Sequence, residues 1–136
     1  MLNKTIVMGR FTADPELRST QSGKNVTSFT LAVDRDFKGQ NGERETDFIY
    51  CVAWNGTADF VTRFFRKGSM AIVSGRLQTR NYETQDGQKR TATEIVTENV
   101  YFGESKKDTA TSETENAHSS PFPTEFNAEE DDDLPF

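Results

Sequence analysis

Five stretches of the chain alternate apolar and polar residues with the period of two that marks a half-buried β-strand. They are residues 5–10, 26–33, 48–54, 70–82 and 90–102. In the second, Phe29, Leu31 and Val33 alternate with Ser28, Thr30 and Ala32; in the third, Ile49, Cys51 and Ala53 alternate with Phe48, Tyr50, Val52 and Trp54. Between the third and fourth stretches the period changes. Ala58, Val61, Phe64 and Phe65 form a helical stripe over residues 57–67, and Gly68 stands where a left-handed C-terminal cap belongs. The polar segments between strands read as loops. The first contains Asp14-Pro15 and Ser22-Gly23, the second is a long hairpin loop over residues 34–47 with Gly39 and Gly42 as turn residues, and the last turns at Asp86-Gly87.

Five strands with one short helix between the third and fourth predict an all-β chain with the element order of an OB-fold, a partly open barrel that commonly binds oligonucleotides. The pattern stops after Glu104. Only 33% of the 136 residues are hydrophobic, and residues 105–136 hold few of them and no sustained period, so they read as a disordered tail behind a domain of residues 1–104. Charge divides at the same place. Residues 1–104 carry 14 Lys and Arg against 13 Asp and Glu, whereas residues 105–136 carry 2 against 9, so the overall net charge of −6 belongs to the tail. An acidic chain is therefore compatible with a nucleic-acid partner for its near-neutral domain. One cysteine, Cys51, excludes a disulfide framework or a multi-cysteine zinc site within one chain and fits a reducing cytosol. No segment has the apolar length of a signal peptide or a membrane span, which predicts a cytoplasmic protein without a membrane partner.

Phe48, Tyr50 and Trp54 are separated by even numbers of residues, so a regular strand projects all three rings from one face. The opposite face, Ile49, Cys51 and Ala53, has the smaller apolar side chains that a tightly curved interior prefers. Taken as an isolated strand, the aromatic face reads more readily as core. Phe37 beside Arg35 and Lys38, and Tyr82 near Arg80, shift the balance, because each lies in a polar hairpin where no core is expected. Arg76, Gln78, Arg80 and Tyr82 alternate on one face, and Arg90 continues the cationic series across the hairpin. Each arginine alone is an ordinary solvated residue. Together the residues describe a track on which cations hold the phosphate chain and rings stack bases without reading their edges, which selects unpaired strands because duplex DNA hides its base faces.

Met1-Leu2-Asn3-Lys4, Gly9-Arg10, Asp14-Pro15-Glu16-Leu17-Arg18, Phe29-Thr30-Leu31-Ala32-Val33, Lys67-Gly68-Ser69 and Gly75-Arg76-Leu77-Gln78-Thr79-Arg80-Asn81-Tyr82 occur in that order. This series resembles the bacterial single-stranded DNA-binding protein family over residues 1–102 and again at the extreme C-terminus. The resemblance implies base-stacking roles for Phe37, Phe48, Trp54 and Tyr82, with Phe or Tyr where family members often carry Trp. Arg10, Arg35, Lys38, Tyr50, Arg76, Arg80 and Arg90 are the further residues expected to contact single-stranded DNA. The resemblance further implies a homotetramer in which four barrels wrap one strand, whereas the residues themselves leave monomer, dimer and tetramer open.

The chain ends in Asp131-Asp132-Asp133-Leu134-Pro135-Phe136, a dense negative run before a terminal aromatic. This resembles the family's partner-docking tip. Phe136 fits an apolar pocket whose mouth binds the α-carboxylate, Pro135 narrows the free ensemble, and the aspartates steer encounter. The resemblance implies replication, recombination and repair proteins as partners and a place at the nucleoid. The charge division also predicts that the tail competes with DNA for the basic track. Three other classes were weighed. A nuclease built on Asp34, Asp36, Glu43, Glu45 and Asp47 is disfavoured by the interleaved Arg35, Lys38 and Arg44 and the lack of histidine in residues 1–104; no metal, cofactor or catalytic residue is expected. The others are a protein-interaction module using the aromatic face, and an RNA-binding OB domain, which nothing in the residues separates from a DNA binder.

Overall fold

The alternating segments pair into a single sheet that closes on itself. The computed structural model of the chain describes residues 1–105. Its elements are β1 (Thr5–Phe11), β2 (Arg18–Ser19), β3 (Asn25–Lys38), β4 (Arg44–Trp54), α1 (Asn55–Phe64), β5 (Met70–Glu83) and β6 (Lys89–Phe102). β3 and β4 form one antiparallel hairpin and β5 and β6 another. β1 pairs antiparallel with β5 along one edge and with β3 through Arg10 and Phe11 on the other, while β4 and β6 run parallel through Cys51, Val52 and Ala53. The ring β1-β5-β6-β4-β3 is the expected five-stranded barrel, with β2 as a two-residue flap on β3.

Closure demands close backbone approaches, and two glycines supply them. A Cβ on Gly9 would lie 2.6 Å from the Ala32 carbonyl oxygen, where β1 crosses to β3. One on Gly75 would lie 2.0 Å from the Val96 carbonyl oxygen, beside the bulge between Ser74 and Gly75. Inward-facing residues fill the barrel: Phe29 and Leu31 of β3, Cys51 and Ala53 of β4, Ala71 and Val73 of β5 and Ile95 of β6 are buried. Helix α1 closes one end by packing on β3, β4 and β6, with Ala58 and Val61 buried. Phe11 is the centre of the core, stacked at 4.8 Å on Phe29 and 5.1 Å on Phe65.

Several boundaries differ from those expected. The helix starts two residues earlier than residue 57, at a corner where Asn55 takes φ 53°, a left-handed conformation that asparagine tolerates better than most. It stops at Phe64 instead of residue 67, because Phe65 turns extended and drives its ring into the core between Phe11 and Phe102. Gly68, at φ 87°, is therefore not the helix cap. It forms the turn into β5, where its N–H donates to the Phe11 carbonyl at 2.8 Å.

The hairpin loop expected over residues 34–47 is mostly strand: β3 runs to Lys38, β4 resumes at Arg44, and the turn between them is closed by the Gly39 N–H on the Glu43 carbonyl at 2.8 Å. This arm projects beyond the barrel with both faces wet, so it is held by polar cross-strand contacts and shows no apolar alternation. The Thr46 hydroxyl donates to Asp34 at 2.6 Å, and Arg35 grips Asp47. β2 was likewise invisible in the first loop, being too short to display a period. The tail from residue 106 onward, with the docking tip at residues 131–136, lies outside the described residues.

Candidate nucleic-acid interface

The two faces of β4 are chemically distinct because its register puts even-numbered residues outside. Val26, Ser28, Thr30 and Ala32 of β3 stand opposite Trp54, Val52, Tyr50 and Phe48. The rings are exposed: Phe48 68%, Trp54 40% and Tyr50 39%, while Cys51 and Ala53 between them are fully buried. The core reading of this face is thereby ruled out. Val52 is the exception, on the outer face yet only 6% exposed, in a row that runs Ser28, Val52, Val96, Arg76 across four strands. Alternation assigns a face, and neighbours decide what water reaches.

Phe37 is 84% exposed near the tip of the β3–β4 arm. Counting from Phe29 would give it the inner face, but between the Asp34–Thr46 and Lys38–Arg44 pairs β3 holds more residues than β4, so the count is broken. Beyond the barrel there is no interior for it to face. Tyr82 is exposed at the end of the other arm, paired with Arg90, and the Arg80 guanidinium carbon lies 5.7 Å from its ring centroid. Among the described residues the ring-to-ring contacts join only Phe11, Phe29, Phe60, Phe64, Phe65 and Phe102. Phe37, Phe48, Tyr50, Trp54 and Tyr82 enter none of them, so no described ring covers their faces, and only Tyr82 has a guanidinium over its ring.

The expected cations differ in how free they are. Arg76 and Arg90 make no ion pair among the described residues; they touch Gln78 at 3.1 Å and Gln88 at 3.5 Å. Arg80 donates its Nε to Glu94 at 3.3 Å, and Glu94 itself is only 6% exposed, so a buried carboxylate aims this guanidinium and leaves its outer nitrogens uncommitted. Arg10 reaches the outer face too, one strand from Phe48 through Ala32, and is held by the Gly68 carbonyl at 2.9 Å and Glu104 at 3.2 Å. Arg35 is the most engaged. It forks onto Asp47 at 2.9 and 3.0 Å and also donates to Glu45. The hydrogen bond to Asp47 and the nearby carboxylates hold its guanidinium above the usual value, and the same hydrogen bond holds the Asp47 carboxyl below its own. Arg35 thus braces the arm. Lys38 pairs across the arm with Arg44, concentrating positive charge beside Phe37.

Two residues stand on the outer face that the sequence does not place there. Arg18 lies in one row with Val26 and Trp54, placed there by β2. Glu94 pairs with Gln78 in the middle of the basic face, where an acid would not be sought. Their place on this face has no periodic signal, because β2 is only two residues long and Glu94 is an acid within a basic row. Of the carboxylates considered as metal ligands, Glu45 and Asp47 are engaged with Arg35 and Asp34 with Thr46, and no cluster of three or more potential metal ligands occurs among the described residues.

An exposed, unpaired aromatic face flanked by cations fits a single nucleic-acid strand. Residues 2–103 match the single-strand binding protein family. The chain is 52% identical over 116 residues to single-stranded DNA-binding protein 2 of Listeria monocytogenes, covering 85% of this chain and 72% of that protein. It is 56% identical over 106 residues to single-stranded DNA-binding protein A of Bacillus subtilis, covering 78% of this chain and 62% of that one. Among solved structures it is similar to a Plasmodium falciparum SSB in complex with single-stranded DNA, at a TM-score of 0.67 and 28% identity over 75% of this chain and 95% of that one.

Proposed function

The chain belongs to the single-strand binding protein family, and from that premise we propose that its barrel binds single-stranded DNA without reading sequence, protecting it during replication, recombination and repair. The observation that carries this reading is the set of exposed rings, Phe37, Phe48, Tyr50, Trp54 and Tyr82, none stacked on another ring among the described residues, bordered by Lys38, Arg76, Arg80 and Arg90. Stacking tolerates any base and the cations follow the phosphates, so affinity is broad and falls with salt. Phe37, Phe48, Trp54 and Tyr82 take the stacking roles. Arg10 and Arg35 serve the same face, by charge and by bracing the arm. The test is a titration of Trp54 fluorescence with oligo-thymidine and with duplex of equal length. Strong quenching by the single strand alone is expected, and equal response to both would overturn the reading.

Assembly and partners are proposed on separate grounds. Ile6 and Met8 of β1 and Tyr101 of β6 are exposed apolar residues on one outer face, Met8 and Tyr101 aligned through Ile72. Such a patch fits burial between copies of the chain and supports a homotetramer, to be checked by mass in solution. The terminal Asp131, Asp132, Asp133, Leu134, Pro135 and Phe136 are the docking tip for replication, recombination and repair proteins, supported by their acidic and aromatic chemistry. No helix among the described residues is long and apolar enough to cross a membrane, and a cytoplasmic, nucleoid-bound role follows from the DNA reading.

A further inference from the structure

Beside the stacking face lies a cavity of about 380 Å³ that the ring-and-cation description leaves unused. It opens between the segment after β1 and the outer face of β3 and β4, and its lining includes Glu16, Arg18, Ser28, Thr30 and Tyr50. Tyr50 is one of the exposed rings, directly opposite Thr30 in the ladder, and Arg18 shares a row with Trp54, so the cavity is continuous with the stacking track.

One wall is anchored. The Thr12 hydroxyl donates to the Thr30 carbonyl at 3.2 Å, and Asp14 accepts the Lys67 backbone N–H at 2.7 Å, which ties the segment after β1 to β3 and to the turn after α1. The cavity's lining groups, by contrast, are idle. The side-chain polar atoms of Glu16, Arg18, Ser28, Thr30 and Tyr50 make no hydrogen bond or ion pair among the described residues, although an acid and a base stand two positions apart. Elsewhere on the domain comparable neighbours are joined, as Arg35 is to Asp47 and Arg80 to Glu94. An open concavity that collects unpaired donors and acceptors beside an aromatic wall suits a small flat ligand.

We infer that this cavity is a nucleobase subsite at one end of the track, and that it favours a base presenting an amino donor beside an acceptor, as cytosine does, over thymine. The inference rests on the single-stranded DNA reading above. A base leaving the row of rings meets Tyr50 on its face. The Glu16 carboxylate accepts from the exocyclic amine of cytosine, and the Arg18 guanidinium donates to the adjacent ring nitrogen or carbonyl. Thymine turns a carbonyl towards the carboxylate, leaving an acceptor against an acceptor with no proton between them. Bases stacked on Phe48 and Trp54 are not tested in this way. The subsite therefore adds a base-sensitive step to an otherwise indifferent surface.

The test uses the full chain with oligo-deoxycytidine and oligo-thymidine of about 12 nucleotides, a length within the span of one such domain. Both are pyrimidine strands, so the ratio of their affinities isolates the base edge from backbone charge. Whatever its value in the parent protein, the ratio of cytidine to thymidine affinity is expected to fall about three- to tenfold in Glu16→Ala and in Arg18→Ala. Glu43→Ala removes the same charge from the turn of the β3–β4 arm, outside the cavity lining, and should leave the ratio unchanged. An unchanged ratio in both cavity variants overturns the subsite, as does an equal fall in Glu43→Ala, which would make the effect one of net charge. Failure of the parent protein to bind either strand would instead overturn the DNA reading itself.

Discussion

On the inner face of the barrel, Phe11 lies between Phe29 and Phe65, with ring centroids 4.8 and 5.1 Å away, and water does not reach it. On the outer face, Phe48 and Trp54 are aromatic too, yet among the described residues no ring stacks on them and both are exposed. The same side-chain chemistry thus has two uses, separated by the thickness of one sheet. Inside, aromatic area is consumed in folding. Outside, it stays hydrated in the free protein and becomes available when a base covers it. Stability and affinity should consequently respond to different phenylalanines, and that separation can be attacked directly.

The largest effect is expected from Phe11→Ala, which empties the centre of the core and should cost about 3–5 kcal/mol of unfolding free energy, read as a lower urea midpoint at similar slope. Phe48→Ala should stay within about 1 kcal/mol in the same measurement. Comparable losses in the two variants would break the comparison. Next in size, Phe48→Ala and Trp54→Ala should each weaken oligo-thymidine binding by about 1–3 kcal/mol, roughly fivefold to a hundredfold; the magnitude is that general to single-strand binders and is not obtained from this structure. For Trp54→Ala the readout is calorimetry, since the fluorophore is lost.

Among the cations, Arg76→Gln should shrink the slope of log affinity against log salt by about 1, as expected when one phosphate contact disappears. Arg35→Gln should change it less, because that guanidinium already faces Asp47 and Glu45. Equal slopes would mean that DNA displaces the acids from Arg35. The Asp47 contact also carries a pH signature. Its folded carboxyl lies below the ordinary value of 3.8, so the contact is complete above that value and is lost as the pH falls through the lower folded value. Carboxyl titration by NMR should show Asp47 returning towards its ordinary value in Arg35→Gln.

The smallest effect concerns Cys51, on the inner face of β4 between Tyr50 and Val52. Burial pushes its thiol up to about 12, so it stays neutral in the folded barrel. The preference for the neutral form is intact below the ordinary value of 9.0 and is lost as the pH rises towards about 12. Alkylation at about pH 8 should leave the folded protein unmodified and proceed once denaturant opens the barrel. Rapid labelling of the native chain would show that the inner face is less closed than its packing indicates.

Legibility in the sequence followed the strength of the local period. The five barrel strands and the helix were readable because Phe29-Leu31-Val33 and Phe48-Tyr50-Trp54 alternate, while Ala58, Val61 and Phe65 do not. The β3–β4 arm was mistaken for a loop because its strands are held by Arg35–Asp47 and Thr46–Asp34 contacts, which leave no hydrophobic trace. Helix length was misjudged because Phe65, in phase with the helical stripe, leaves the helix to enter the core. Arg18 and Glu94 could not be placed on the outer face for a different reason: β2 is too short to show a period, and an acid in a basic row gives no charge pattern to follow.

By itself the sequence determined which side chains share a face, because a strand's period of two is a local property of the backbone. It also separated a near-neutral domain from an acidic tail, since charge is additive along the chain. Which face of β4 points outward, which arginines remain free and where a cavity opens were decided only by the tertiary structure. Closure through the parallel pairing of β4 with β6, and of β1 with both β5 and β3, depends on contacts between residues far apart in the chain. No local pattern encodes them.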